Sequence, residues 1–357
     1  MTYSCSFKPM NSILSQFRAA IMGISMVFVI MFHQQFISGS IPFFFHKTGN
    51  LGVDAFLFIS GFGIYSSLNK YNTINTENIL SFYKRRMLRM MPTCIIAGIS
   101  FLYLWMVSIP GLYYSGSLNF YSAFIGLDVW YIRTIMIYYL LAPFLYSIIK
   151  SSKFTIITLI VLCLVIPFIG KGCSWLVGNV CGNSFYMQQT IGWTIERFPV
   201  FAFGMLFAHM NPDRNNFLNW KFIMFAIACA GLLLATPYIY KLNHFQSYSI
   251  YKFLRILIGH KVLIIPILPI LFYLAIFILE NLGKYIKSTL EWIGNYSLEI
   301  FLAHSAIFPY ARKMFDSGWL IFTCALAASV LASIYLKYVS AQTSSIFTRK
   351  TMPQYRP

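Results

Sequence analysis

A histidine near the end of an apolar helix is the residue of this chain best suited to proton transfer. His33 directly follows the apolar run from Ala19 to Phe32, and Arg18 immediately precedes that run. Ionisable side chains at membrane depth are costly, so each is a functional candidate. A helix separates positions 18 and 33 by about 22 Å along its axis and about 60° around it. The spacing predicts a permanent cation at one rim of a membrane helix and a titratable base most of the way across.

The composition indicates a polytopic membrane protein. Of the 357 residues, 58% are hydrophobic and 10% are charged, whereas a soluble domain is about half apolar and about a quarter charged. Hydropathy predicts about ten spans near the ~20 residues that cross a bilayer. We therefore expect an all-α integral membrane protein forming a single membrane-embedded domain over residues 1–357. The predicted spans are roughly 19–37, 51–68, 88–108, 128–149, 154–170, 195–210, 221–238, 261–279, 293–312 and 317–338.

The formal net charge of +18 does not indicate a nucleic-acid-binding protein. The lysines and arginines cluster beside the predicted spans instead of forming a soluble basic face. Under the positive-inside rule, their distribution places both termini in the cytoplasm. The predicted loop at about 239–260 is an exception, since its basic residues would lie outside. Either that loop faces an anionic ligand or lipid, or the number of spans before it differs.

The seven cysteines show no spacing typical of a metal site, and we expect no metal. Four of them fall inside apolar spans, where a cysteine behaves as a small hydrophobic residue. Cys173 and Cys181 share a predicted external loop, where an oxidising compartment permits a disulfide. The sequence leaves open whether these two cysteines are paired.

A basic cluster lies on the predicted cytoplasmic side, where the third span begins. It contains Lys84, Arg85, Arg86 and Arg89, and it follows Tyr83. Because Arg86 and Arg89 are three residues apart, a helix places them on one face. Arginine side chains bind phosphates through paired donors, so the cluster, with Lys84 and the adjacent Tyr83, is a candidate binding site for a phosphate-bearing cofactor. The alternative is an ordinary anchor that contacts lipid headgroups.

On the predicted outer side, His33 and Asp54 are expected at matching depth. His33 lies roughly 6 Å below the end of the first span, and Asp54 roughly 5 Å below the start of the second. If these helices form a hairpin, the carboxylate fixes the histidine tautomer and stabilises the imidazolium. The pair would then be a general base with its orienting partner.

Polar and aromatic residues begin two further spans at the same level. They are Asp128, Trp130, Tyr131 and Arg133 in the fourth span and Glu196 and Arg197 in the sixth. These side chains are predicted to complete a substrate-binding vestibule that opens to the outside. The alternative is an interfacial aromatic belt with a charged pair at the rim.

Two further segments place polar or small residues inside spans. Glu299 and His304 lie in the ninth span, five residues apart or about 140° around a helix. Their intramembrane position makes both candidates for substrate binding. The segment Ser60-Gly61-Phe62-Gly63 lies in the second span. Its small residues either allow close helix packing or contact substrate.

Five segments, in this order, resemble the membrane acyltransferase family 3 proteins. These are polytopic O-acyltransferases, mostly bacterial, that modify polysaccharides, lipopolysaccharide or small molecules. The resemblance implies an acyl-CoA-dependent enzyme of a bacterial inner membrane, with a carbohydrate or glycolipid acceptor. The segments are Arg18 to His33, LGVDAFLFISGFG at 51–63, FYKRRMLRMMP at 82–92, DVWYI at 128–132 and IGNYSLEIFLAH at 293–304.

The resemblance also implies roles for particular residues. His33 corresponds to the catalytic residue, with Asp54 as its support. Arg18, Arg86 and Arg89 correspond to groups that bind the acyl-CoA donor, the conservative choice of which is acetyl-CoA. The usual family pattern has ten residues between the arginine and the histidine, whereas this chain has fourteen. The four additional residues are about one helical turn, so Arg18 and His33 keep their relative direction.

The sequence leaves the mechanism and two other functions open. His33 either deprotonates the acceptor hydroxyl or carries the acyl group itself, and Arg133 or a backbone amide is a candidate oxyanion donor. A proton-coupled transporter of a sugar or lipid-linked substrate is the main alternative, although no paired halves with broken helices are evident. A non-catalytic membrane assembly partner is the third function, and the oligomeric state stays open.

Overall fold

Helices dominate the computed structural model, in which no strand occurs among the described residues. This confirms the predicted all-α class. The described residues are 9–33, 49–71, 75–108, 129–153, 157–158, 161–166, 169, 192–212, 219–241 and 261–349. Several sequence predictions fall outside these ranges, namely those for Asp128, for Cys173 and Cys181, for much of the fifth span and for most of the 239–260 loop.

The described ranges contain α-helices interrupted by two short irregular turns. A π-helical turn occupies Val161–Val165, and a 3-10 turn occupies Val262–Ile264. The α-helices are α1 (Met10–Phe32), α2 (Asn50–Leu68), α3 (Thr76–Ser108), α4 (Trp130–Ser151), α5 (Trp193–Met210), α6 (Trp220–Lys241), α7 (Ile267–Asn281), α8 (Lys284–Asn295), α9 (Ser297–Met314) and α10 (Gly318–Arg349).

Six helical segments in the described ranges are long and apolar enough to cross a membrane. They support an integral membrane protein, whereas the predicted count of about ten spans is not confirmed. Helices α5 and α9 have the required 18 residues, but their charged side chains lower their hydropathy. The six segments are Met10–Phe32, Asn50–Leu68, Thr76–Leu104, Trp130–Ser151, Val262–Asn281 and Gly318–Thr343.

Helix α1 begins earlier than hydropathy predicts, at Met10 instead of position 19. Polar residues interrupt the apolar pattern before Arg18, but Met10, Ile13, Leu14 and Phe17 are buried. Their spacing forms one apolar helical stripe, and packing of that stripe sustains the additional turns. Arg18 therefore lies inside a helix and not at its start.

The chain folds into two compact units. The first comprises Met1–Ile21, Asp54–Asn72 and Leu140–Ser288, and the second comprises Met22–Val53, Thr73–Tyr139 and Thr289–Pro357.

In the first unit, α2 and α5 approach each other through glycines. A Cβ atom at Gly61 would overlap the backbone carbonyl of Phe201, and one at Gly204 would overlap that of Phe58. Close approach through small residues is the usual way in which membrane helices associate. The packing interpretation of the Ser60–Gly63 segment therefore explains Gly61. In the same unit, α5 packs on the π-helical turn, and α6 packs on α7.

In the second unit, α3, α9 and α10 pack against one another. Small side chains fill the contact region, and Ala303, Ala306, Ser329 and Ser333 are fully buried. Small residues let these helices lie close together. Close packing matters because lipid provides no hydrophobic driving force for helix association. This packing fixes the position of α9, the helix that carries Glu299 and His304.

Candidate active site

Two histidines of the second unit lie together at the end of α1. His33 follows the last residue of α1, and its ring centroid is 5.0 Å from that of His304 on α9, with an interplanar angle of 57°. His33 is exposed, whereas His304 is only 1% exposed. This histidine pair, His33 and His304, combines an accessible imidazole with a buried one.

The hydrogen bonding of His304 indicates which of its nitrogens carries the proton. Its Nδ1 lies 3.1 Å from the carbonyl oxygen of Ile300 one turn earlier on α9. Because a carbonyl oxygen only accepts, Nδ1 is the donor, and the neutral ring then has its lone pair on Nε2. Nε2 is buried and has no hydrogen-bond partner within the described ranges. The pair therefore contains a buried acceptor that is not otherwise used.

Aromatic side chains surround the buried member of the histidine pair. Phe301 lies edge-on to His304 with centroids 5.1 Å apart, and Tyr131 packs on Phe301 at 4.8 Å. Trp130 is in edge contact with Tyr131 at 6.1 Å. The structure thus brings the start of α4 close to the histidine pair. The buried position of Tyr131 is not that of a simple belt residue at the membrane surface.

Glu299 makes a different set of contacts from His304, although both lie on α9. The Glu299 carboxylate is 3.4 Å from the ammonium group of Lys337 on α10. Lys337 also donates a hydrogen bond of 2.8 Å to the backbone carbonyl of Asn295 and lies over the ring of Tyr296. The structure therefore engages Glu299 in an ion pair between helices. Its predicted contact with substrate stays a prediction.

The first unit holds the other predicted catalytic residue, Asp54. The Asp54 side chain is fully buried, with Oδ1 3.4 Å from Nε of Arg197 and Oδ2 4.0 Å from Nζ of Lys261. His33 and Asp54 belong to different units, so their predicted pairing stays a prediction. The sequence analysis did not identify Lys261 as a partner of Asp54, although Lys261 directly follows the predicted 239–260 loop whose basic residues violate the positive-inside rule.

Arg197 is buried beside Asp54, where the sequence suggested either a vestibule residue or a rim pair with Glu196. The neighbouring Glu196 is half-buried. Arg133, the remaining predicted vestibule cation, is half-buried in the second unit. The substrate-binding roles of these three residues stay predictions.

A polar chain in the first unit was not predicted from the sequence. The Tyr65 hydroxyl and His209 Nδ1 are hydrogen-bonded at 2.6 Å, and Tyr146 donates a hydrogen bond of 3.0 Å to the side-chain oxygen of Asn69. The rings of Tyr65 and Tyr146 are in contact, with centroids 5.0 Å apart, so the two hydrogen bonds lie side by side. Tyrosines in apolar helices look like core residues, so the sequence carried no signal for this arrangement.

Arg18 lies against a glycine of α2 in the same unit. A Cβ atom at Gly63 would be 3.1 Å from the guanidinium carbon of Arg18. Contacts of that length are tighter than ordinary packing, so a larger residue at position 63 would displace the guanidinium group. Gly63 therefore provides the space that this cation occupies.

The cations of α3 are not equivalent in the structure. Arg86 is half-buried between the rings of Phe82 and Tyr139, at 5.5 Å and 5.7 Å from their centroids. Such contacts are typical of cation–π interactions. The remaining cations of this cluster, Lys84, Arg85 and Arg89, are exposed, while Tyr83 is half-buried. The predicted fork of Arg86 and Arg89 thus has one arm held by aromatic rings and one arm open to a ligand.

The comparison with known proteins gives one result. A family model described as an acyltransferase domain matches residues 21–338, which is most of the chain. Neither the curated proteins nor the solved structures contain a match to this chain. No group of three or more side chains suited to a metal ion occurs among the residues that the structure describes.

Proposed function

We propose, since the chain belongs to the acyltransferase-domain family, that it is a membrane O-acyltransferase dependent on acyl-CoA. It transfers an acyl group, acetyl in the simplest case, from the cytoplasmic donor to a hydroxyl of a surface glycan or glycolipid precursor. Its location is a bacterial inner membrane, with both termini in the cytoplasm. The family match favours an acyltransferase over the transporter that the sequence left as an alternative.

The observation that carries this proposal is the exposed imidazole of His33 beside the buried ring of His304. A histidine is the side chain best suited to move a proton near neutral pH. His33 is accessible to a hydroxyl group, while the aromatic residues around His304 limit the access of water to the rear of the pair. This arrangement suits general base catalysis of acyl transfer.

In the proposed step, His33 accepts the proton of the acceptor hydroxyl as the oxygen attacks the thioester carbonyl. The carbon–sulfur bond then breaks, and the imidazolium returns the proton to the departing thiolate. The products are an ester and free CoA, so atoms and charge balance. General base catalysis of this kind contributes roughly 10²- to 10⁴-fold to a rate.

The donor site in this proposal uses cations on the cytoplasmic side. Lys84, Arg85 and Arg89 are exposed, and cationic side chains of this kind bind phosphates such as those of CoA. Arg18 of the first unit, whose guanidinium group Gly63 accommodates, is assigned to the donor by the family resemblance alone. Arg86 contributes by anchoring this part of α3 to its neighbouring rings.

Mass spectrometry of surface glycans from the host tests the proposed function. The strains compared carry the intact gene, a deletion, or a deletion complemented with wild type, His33→Ala or the control His209→Gln. We expect one acyl modification to disappear in the deletion and to return with the wild type and the control, but not with His33→Ala. Restoration of the modification by His33→Ala would contradict the proposal. Loss of a whole sugar unit in the deletion would instead indicate a transporter.

A further inference from the structure

We propose, resting on the function above, that His304 is a positioning residue that selects the tautomer of His33. During the reaction, Nε2 of His304, which has no hydrogen-bond partner among the described residues, accepts a hydrogen bond from one ring nitrogen of a reoriented His33. The other nitrogen of His33 then carries the lone pair that takes the proton of the acceptor hydroxyl. A buried neutral imidazole thus has the orienting role that a carboxylate has in a serine–histidine–aspartate triad.

The first argument is the distance within the histidine pair. The ring centroids are 5.0 Å apart, so the two rings are neighbours, and a change in the orientation of the His33 ring brings one of its nitrogens within hydrogen-bonding distance of Nε2. The angle of 57° between the rings keeps them from stacking face to face. The geometry therefore suits an edge contact through nitrogen.

The second argument is an account of the His304 nitrogens. Nδ1 is occupied by the Ile300 carbonyl, so Nε2 is the nitrogen available to a group outside α9. A polar atom buried without a partner is unfavourable, and buried polar groups are almost always satisfied. A hydrogen bond from His33 satisfies Nε2 and uses the tautomer that the Ile300 contact has already fixed.

The third argument is that Glu299, a carboxylate of the second unit, already forms an ion pair. Glu299 lies on the same helix as His304, but it is paired with Lys337 on α10. His304 offers a neutral acceptor in contact with His33. It orients His33 without adding a buried negative charge, whose desolvation is expensive.

Two amide variants separate positioning from structural support. In His304→Gln, the amide group reaches near the position of Nε2 and keeps an acceptor for His33. In His304→Asn, the shorter amide lies near the position of Nδ1 and keeps a donor for the Ile300 carbonyl. The two substitutions have similar polarity, and each keeps only one of the two hydrogen bonds.

We expect His304→Gln to retain most of the activity of the purified protein. His304→Asn should lower kcat by about 10- to 100-fold, the usual loss when the partner that orients a functional histidine is removed. KM for acyl-CoA should stay unchanged in both variants, and His209→Asn serves as the control histidine substitution. Full activity in His304→Asn, or loss in His304→Gln alone, would overturn the proposal, because either would assign His304 to support of the Ile300 carbonyl.

A spectroscopic measurement on the wild-type protein does not depend on the folding of any variant. Nuclear magnetic resonance of protein in lipid, labelled with ¹⁵N in the histidine rings, detects coupling between nitrogens across an N–H···N hydrogen bond. We expect one coupled pair, which disappears in His33→Ala. Absence of that coupling in the wild type would overturn the proposal. If the coupling is present but His33→Ala keeps full acyl transfer, the positioning contact stands and the proposed function fails.

Discussion

The ion pair between Asp54 and Arg197 should stabilise the protein strongly because both groups are buried. Their charged atoms are 3.4 Å apart, and both side chains are almost completely inaccessible. At an effective dielectric constant of about 20, two unit charges at this distance attract by about 5 kcal/mol. The cost of desolvation offsets much of this attraction. Removing only one partner, however, leaves the charge of the remaining partner buried. Such a change typically costs about 3–5 kcal/mol in the free energy of unfolding.

A double-mutant cycle measures this coupling. The variants are Asp54→Asn, Arg197→Gln and the double substitution, unfolded by denaturant in detergent, with Lys284→Gln as an exposed control in the same unit. We expect Asp54→Asn to be destabilised by about 3–5 kcal/mol, and Arg197→Gln by less, because Lys261 remains 4.0 Å from the Asp54 carboxylate. The double variant should lose less than the sum of the two, with a coupling of about 1–3 kcal/mol. The control should change little, because surface-facing substitutions seldom exceed about 0.5 kcal/mol.

The cycle also separates two roles for Asp54. If the carboxylate is structural, specific activity per folded molecule should recover in the double variant. If Asp54 supports His33, as the sequence predicts, activity should stay low in the double variant even where stability recovers. Strictly additive losses of stability would refute the reasoning, since they would show that Asp54 and Arg197 do not interact.

Two further predictions follow from the packing. Gly61→Ala should destabilise the protein by about 1–3 kcal/mol, because the new Cβ atom overlaps the facing backbone. Gly231→Ala is the control, since a Cβ atom there meets nothing within 4 Å. Equal losses of stability in the two variants, measured by thermal unfolding, would contradict this prediction. Arg86→Gln should lower the unfolding temperature, because it loses cation–π contacts worth about 1 kcal/mol. Arg89→Gln should instead raise KM for acyl-CoA at unchanged stability. If the two variants change the unfolding temperature and KM equally, the distinction between the two arginines is wrong.

Periodicity and hydropathy predicted much of the helical architecture, because apolar runs of membrane length leave few alternatives. Helix α2, predicted at 51–68, occupies Asn50–Leu68. The helix extends beyond the predicted span where packing overrides hydropathy, as at α1, whose first residues contain polar side chains on one face. Helices α5 and α9, predicted as spans, carry charged residues that lower their hydropathy, and ion pairs engage Arg197 on α5 and Glu299 on α9.

The sequence predicted the chemistry of the candidate site better than its pairings. His33 and His304 were both selected because ionisable groups at membrane depth are costly. Their mutual contact was not predicted, since the two positions are 271 residues apart (304 − 33) in the chain. Likewise, no spacing rule connects Asp54 with Lys261. Contacts of this kind depend on tertiary packing, which local patterns in one sequence do not encode.

Simultaneous measurement of CoA thiol release and ester formation by the purified protein most directly tests the central claim. With labelled acetyl-CoA and an acceptor extract from the host envelope, the wild type and His209→Gln should form one ester for each CoA released. His33→Ala, at an unchanged unfolding temperature, should lose at least about 100-fold of that rate. Ester formation by folded His33→Ala at the wild-type rate would contradict the role assigned to this histidine.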